Sequence, residues 1–102
     1  IIIAKIGKGP KATFGRQVVA HYTGYLPDGK IFDSSYLHGQ PISFQLGSGQ
    51  VIKGWDEAFS LLPQGTKARL IIPPHLAYGN NDVGSIPAGS TLIFDVEVVD
   101  VK

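Results

Sequence analysis

The stretch from Val51 to Leu62 constrains the architecture more than any other. Trp55, Ala58, Phe59 and Leu62 recur at i, i+3, i+4 and i+7, the spacing that stacks side chains along one face of a helix. No other segment has a convincing helical period, so one helix with one buried face is expected. Strand-like patterns on both sides of it place that face across a sheet. Trp55, the only tryptophan, falls in the first helical turn, where a large indole reaches the edge of a core. It is either core or the floor of a pocket.

The remaining apolar residues alternate with a period of two, the mark of half-buried strands. Val18, Ala20 and Tyr22 share one face, with His21 and Thr23 on the other; Ile42, Phe44 and Leu46 repeat the pattern. Ala68, Leu70 and Ile72 point inward from Lys67–Ile72. Leu92, Phe94, Val96 and Val98 alternate with Asp95 and Glu97, and the apolar phase then slips to Val99 and Val101, which predicts a bulge or a more buried end. Ile1 to Ile6 reads as a β-branched strand cut out of a longer polypeptide or left by processing. Leu26-Pro27-Asp28-Gly29 has hairpin-turn chemistry, and Pro63-Gln64-Gly65 ends the helix before the next strand. The segment from Gly79 to Gly89 is the one long loop, and such loops in small domains tend to be functional.

At 102 residues the chain makes one domain, residues 1–102, of a size that folds without disulfides or metal. Its lysines are scattered and its net charge is +1, so it carries no basic stripe for nucleic acid. No apolar run is long enough for a membrane-spanning helix. The absence of cysteine removes thiolate nucleophiles and sulfur-ligated zinc and leaves the compartment open. His21, His38 and His75 sit in unlike contexts without metal-ligand spacing, and Gly47-Ser48-Gly49 is neither a nucleophile elbow nor a phosphate loop. What remains is a set of aromatic residues with a few polar handles, such as Phe32 beside Asp33 and Tyr78 at the mouth of the long loop. That composition suits an apolar binding pocket.

Seven segments stand in an order that resembles one known family: His21-Tyr22-Thr23-Gly24, Asp28-Gly29-Lys30, Phe32-Asp33-Ser34-Ser35, Val51-Ile52-Lys53-Gly54-Trp55-Asp56, Ala77-Tyr78-Gly79, Ile86-Pro87 and Leu92-Ile93-Phe94-Asp95-Val96. Together they are similar to the FKBP family of macrolide-binding peptidyl-prolyl isomerases, over nearly the whole chain. The resemblance implies an α+β fold, a strongly curved antiparallel sheet of about five strands wrapped around one short helix. It implies Trp55 as pocket floor, with Tyr22, Phe32, Phe44, Val51, Ile52, Tyr78, Ile86 and Phe94 as walls. Tyr22 and Asp33 would be polar neighbours, and the Ile52 N–H and Tyr78 hydroxyl would donate to ligand carbonyls. Tyr22, Phe32, Asp33, Trp55, Tyr78 and Phe94 are thereby the candidate catalytic residues.

The implied partners are Xaa-Pro polypeptides and macrolides of the tacrolimus and rapamycin type, bound by a monomer without metal or cofactor. Each assignment has a plainer counterpart. Alternation alone makes Phe44 and Phe94 ordinary core, and Asp33 is suited to capping the turn at Ser34. Two departures stand out. Tyr36-Leu37-His38-Gly39 lies where some members carry an arginine near the aspartate, leaving His38 as the substitute. The Asn80–Ser85 loop lacks the His-Pro-Gly sequence of other members and is slightly shorter, although Ile86 aligns. A noncatalytic binding module on the same fold is the competing expectation.

Overall fold

The computed structural model describes Ile1–Lys102. Six strands form one antiparallel sheet: β1 (Ile2–Lys5), β2 (Gln17–Tyr25), β3 (Ile31–Ser34), β4 (Ile42–Gln45), β5 (Lys67–Ile72) and β6 (Leu92–Val101), with a single helix α1 (Lys53–Phe59). The spatial order is β1-β5-β6-β2-β3, and β4 pairs with the first half of β2 on the edge that β3 occupies further along. The sheet has one strand more than the expected about five. The addition is β3, only four residues long, whose Ile31-Phe32-Asp33-Ser34 sequence has no clean alternation.

Alternation does decide the long strands. Val18, Ala20 and Tyr22 of β2, Ala68, Leu70 and Ile72 of β5, and Leu92, Phe94, Val96 and Val98 of β6 are all buried. Each fully buried valine, leucine, isoleucine or phenylalanine among them contributes about 1.5–3 kcal/mol. The predicted bulge is present: Ala20 pairs with Val98 while Val19 pairs with Asp100, leaving Val99 as the extra residue. The phase change carries Val101 into the core but turns Val99 outward, 41% exposed, contrary to the expectation that both would follow the apolar phase.

The helix is shorter than the periodic stretch. It begins at Lys53, because β-branched Val51 and Ile52 favour extended backbone, and Ile52 has φ −61° and ψ 153°. It ends at Phe59, four residues before Pro63, which disfavours helical backbone at Leu62. Leu62 nevertheless remains on the buried face through a turn, Leu62 N–H donating to the Phe59 carbonyl at 3.4 Å. Two glycines permit the close approaches that shape the interior. A Cβ at Gly54 would stand 2.6 Å from Ile72 Cγ2, and a Cβ at Gly24 would stand 2.5 Å from the tip of the Phe32 ring.

Candidate functional site

Trp55 is 4% exposed and organises the aromatic cluster. Tyr22 meets it edge-on at 5.0 Å and 79°, Phe94 likewise at 5.1 Å and 78°, while Phe59 and Phe44 pack at 5.1 and 5.8 Å. Phe32 completes the ring set, perpendicular to Phe94 at 5.5 Å. It lies over β2 only because position 24 has no side chain. Above the indole the rings leave a cavity of about 190 Å³, walled by Tyr22, Phe32, Phe94, Val51, Ile52 and Tyr78, with Asp33, Ile42 and Gln50 at its margin.

The polar end of this cavity is built by three donors converging on one carboxylate. The Tyr22 hydroxyl donates to Asp33 Oδ2 at 2.6 Å, while the Ser34 N–H and His38 Nε2 both reach Asp33 Oδ1 at 2.9 Å. A carboxylate only accepts, so His38 Nε2 carries the proton. His38 is placed there by a 3-10 turn, Ser35–Leu37, fastened to β2: Ser34 Oγ accepts the Tyr36 N–H, and buried Ser35 Oγ accepts the Tyr22 N–H at 2.9 Å. The cap of the turn is thus Ser34 itself, while Asp33 accepts only the neighbouring Ser34 N–H there and faces the cavity.

The charges follow from these contacts. Burial opposes ionisation of Asp33, but the hydrogen bonds from Tyr22, His38 and the Ser34 N–H outweigh it and hold the carboxyl below its usual range. Burial pushes the Tyr22 phenol up, and its hydrogen bond to Asp33 and the adjacent negative charge push it further. Near neutral pH the pair is a carboxylate and a neutral phenol.

Two donors at the cavity are free within the chain. The Ile52 carbonyl starts the helix by accepting from Trp55 and Asp56, but its own N–H has no partner, and neither does the Tyr78 hydroxyl. The indole Nε1–H of Trp55 is buried and also finds no acceptor. The arrangement offers an apolar slot with donors at its rim and no nucleophile placed against a base.

Most of the sequence candidates meet here. Ile86 stands to one side, in a second cavity of about 200 Å³ that shares Phe32, Asp33 and Tyr78 with the first and is closed by Val83, Gly84 and Ser85. Phe44 does not reach the cavity. At 2% exposure it packs behind Trp55 and against Phe59, so it is core, as its strand alternation alone suggests. Sequence reasoning missed Ile42 and Gln50. Ile42 shares a strand face with Phe44 and differs only in lying nearer the rim; Gln50 gives no signal in sequence, and its Oε1 accepts the Gln45 N–H at 2.9 Å.

The largest concavity, about 490 Å³, lies on the opposite face of the sheet around Lys67, Arg69, Asp95 and Glu97. There Arg69 and Asp95 already satisfy each other at 2.8 and 3.1 Å. No three His, Asp or Glu side chains converge in a way that could hold a metal ion. No helix is long and apolar enough to cross a membrane.

The profile of FKBP-type peptidyl-prolyl cis-trans isomerases matches residues 9–99. Among known proteins, FK506-binding protein 2 of Debaryomyces hansenii is 55% identical over 91 residues, covering 89% of this chain and 67% of that protein. FK506-binding protein 1A of Neurospora crassa is 51% identical over 104 residues, covering 100% of this chain and 87% of that protein. The crystal structure of FkpA from Escherichia coli superposes with a TM-score of 0.91 at 48% identity; the match covers 98% of this chain but spans only 46% of FkpA.

Proposed function

Because the chain belongs to the FKBP-type peptidyl-prolyl cis-trans isomerase family, we propose that the cavity above Trp55 is where it catalyses rotation about Xaa-Pro bonds of polypeptides. The observation that carries this reading is the pairing of a largely apolar aromatic slot with two unused donors, the Ile52 N–H and the Tyr78 hydroxyl. The proline ring would lie on the indole, between Tyr22 and Phe94. The two donors would orient the carbonyls on either side of it.

Rotation about an amide faces a barrier of about 18–20 kcal/mol, set by resonance between the carbonyl and the nitrogen. In the twisted transition state that resonance is lost and the charge separation between oxygen and nitrogen falls. An apolar slot that strips water from the carbonyl therefore favours the twisted form over the planar one. Each 1.36 kcal/mol gained is roughly tenfold in rate. No proton needs to move, which suits a carboxylate whose oxygens are already taken by three donors. In this reading Asp33 fixes Tyr22 and shapes the polar end. The same cavity would accept macrolides of the tacrolimus and rapamycin type, whose ketoamide places carbonyls against the same donors.

Two-dimensional exchange NMR on a Leu-Pro or Phe-Pro peptide tests the reading directly. Cis/trans exchange accelerated by catalytic amounts of protein and abolished by rapamycin is the expected result. Rapamycin binding without acceleration would make the chain a recognition module on the same fold.

A further inference from the structure

The segment from Gly79 to Gly89 is a flap closed by rungs of unlike kind. At its base the Gly89 N–H donates to the Gly79 carbonyl at 2.8 Å; at its tip Val83 and Ile86 exchange two hydrogen bonds, at 3.0 and 2.8 Å, across Gly84 and Ser85. Between them no backbone pair spans the flap. The middle rung is supplied by a side chain: Asp82 Oδ1 accepts the Ala88 N–H at 2.7 Å. One face of this flap is the wall of the cavity of about 200 Å³ that opens onto Phe32, Asp33 and Tyr78. Ile86, 6% exposed, anchors the tip to the core, whereas Val83 beside it is 38% exposed.

We propose that Asp82 is a positioning residue for client recognition: by latching the Ala88 N–H it fixes the distance between the flap tip and the Phe32–Tyr78 side of the mouth. The inference rests on the isomerase reading of the neighbouring cavity. Without the latch, Asn81–Asp82 and Pro87–Ala88 have no connection between base and tip, and the wall carrying Val83 to Ile86 loses its support from the middle. A small residue beside the proline does not reach that wall. A bulky one does, so the latch matters in proportion to the size of the flanking side chain.

The experiment compares the wild type with Asp82→Ala and Asp82→Asn on Ala-Pro and Phe-Pro peptides, with hydrogen exchange of the Ala88 amide followed in the same samples. The asparagine carbonyl can accept the same N–H without the charge. Asp82→Ala is expected to lose Ala88 protection and to raise KM for the Phe-Pro peptide roughly fivefold, about 1 kcal/mol by the tenfold-per-1.36 kcal/mol relation. It should leave kcat and the Ala-Pro peptide close to wild type, and Asp82→Asn should restore both readouts. Equal Phe-Pro to Ala-Pro ratios in wild type and Asp82→Ala overturn the latch while leaving the isomerase reading intact. So does loss of selectivity in Asp82→Ala that Asp82→Asn fails to restore. A wild-type protein that accelerates neither peptide removes the isomerase reading and the latch with it.

Discussion

His38 Nε2 holds Asp33 Oδ1 at 2.9 Å from the solvent side, opposite the Tyr22 hydroxyl that holds Oδ2 from within. The imidazole and the carboxylate side chains are 63% and 42% exposed, so their attraction is screened, and pairs of this kind are worth about 0.2–1 kcal/mol. His38→Leu is accordingly expected to lower kcat/KM for a Leu-Pro peptide by roughly two- to fivefold, with the melting temperature little changed. His38→Asn, which keeps an N–H donor, should recover part of the loss. A drop of a hundredfold or more would mean that the histidine does more than steady the carboxylate.

The pH dependence has two limbs of opposite sign. Asp33 ionises below its usual 3.8 in the folded protein, so its contribution to stability is fully present above 3.8 and is lost as pH falls through the lowered folded value. Tyr22 ionises above its usual 10.0, so its contribution is complete below 10.0 and disappears as pH rises through the raised folded value. Urea midpoints of wild type and Asp33→Asn should differ by a constant amount near neutral pH and converge only in strong acid. Wild type and Tyr22→Phe should converge only in strong alkali. A difference that instead changes between pH 5 and 8 would point to another group.

Trp55 and Phe59 separate packing from function. Both are buried and 5.1 Å apart, yet only Trp55 floors the cavity. Replacement of either by alanine should cost about 3–5 kcal/mol in urea unfolding, the range for large buried aromatics. Under conditions where both variants remain folded, Trp55→Ala should lose at least tenfold in kcat/KM and Phe59→Ala only a few-fold. Equal losses would place the reaction away from the indole.

Gly24 offers a test of the cavity wall from behind. Alanine there would put a methyl group 2.5 Å from the Phe32 ring, which must swing away. Overpacking of this kind costs about 1–3 kcal/mol. The expected signature is a raised KM for Xaa-Pro peptides with shifted Phe32 and Phe94 ring resonances, and a wild-type spectrum would show that the ring finds room elsewhere.

Period-two alternation made the inward residues of β2, β5 and β6 legible without any structure, because a sheet with one buried face leaves no freedom in which side chain faces the core. It could not separate Phe44 from Ile42, which share a face and differ only in depth along the strand. Trp55 lies in the first helical turn as its spacing indicates, but periodicity alone does not fix the start at Lys53, since Val51 and Ile52 satisfy the apolar pattern and prefer extended backbone. Asp33 and His38 are five residues apart and meet only because a 3-10 turn folds one over the other. A pairing of that sort has no periodicity to betray it, and only the family resemblance offered His38 as the arginine's substitute. Asp82 was hidden for the same reason, since the loop composition that marks turns is silent about which side chain closes them.

The sixth of the six strands in chain order lies in the middle of the sheet: β6 is flanked by β5 on one side and β2 on the other. Without β6 the remaining strands fall into two sheet fragments, β1 with β5 and β2 with β3 and β4, and the cavity lacks Phe94. Long-range pairing of this kind is slow to form and leaves apolar edges uncovered meanwhile. The slot to which we assign isomerisation is therefore incomplete until β6 is in place. Its last wall arrives only when β6 docks between two strands that precede it in the chain.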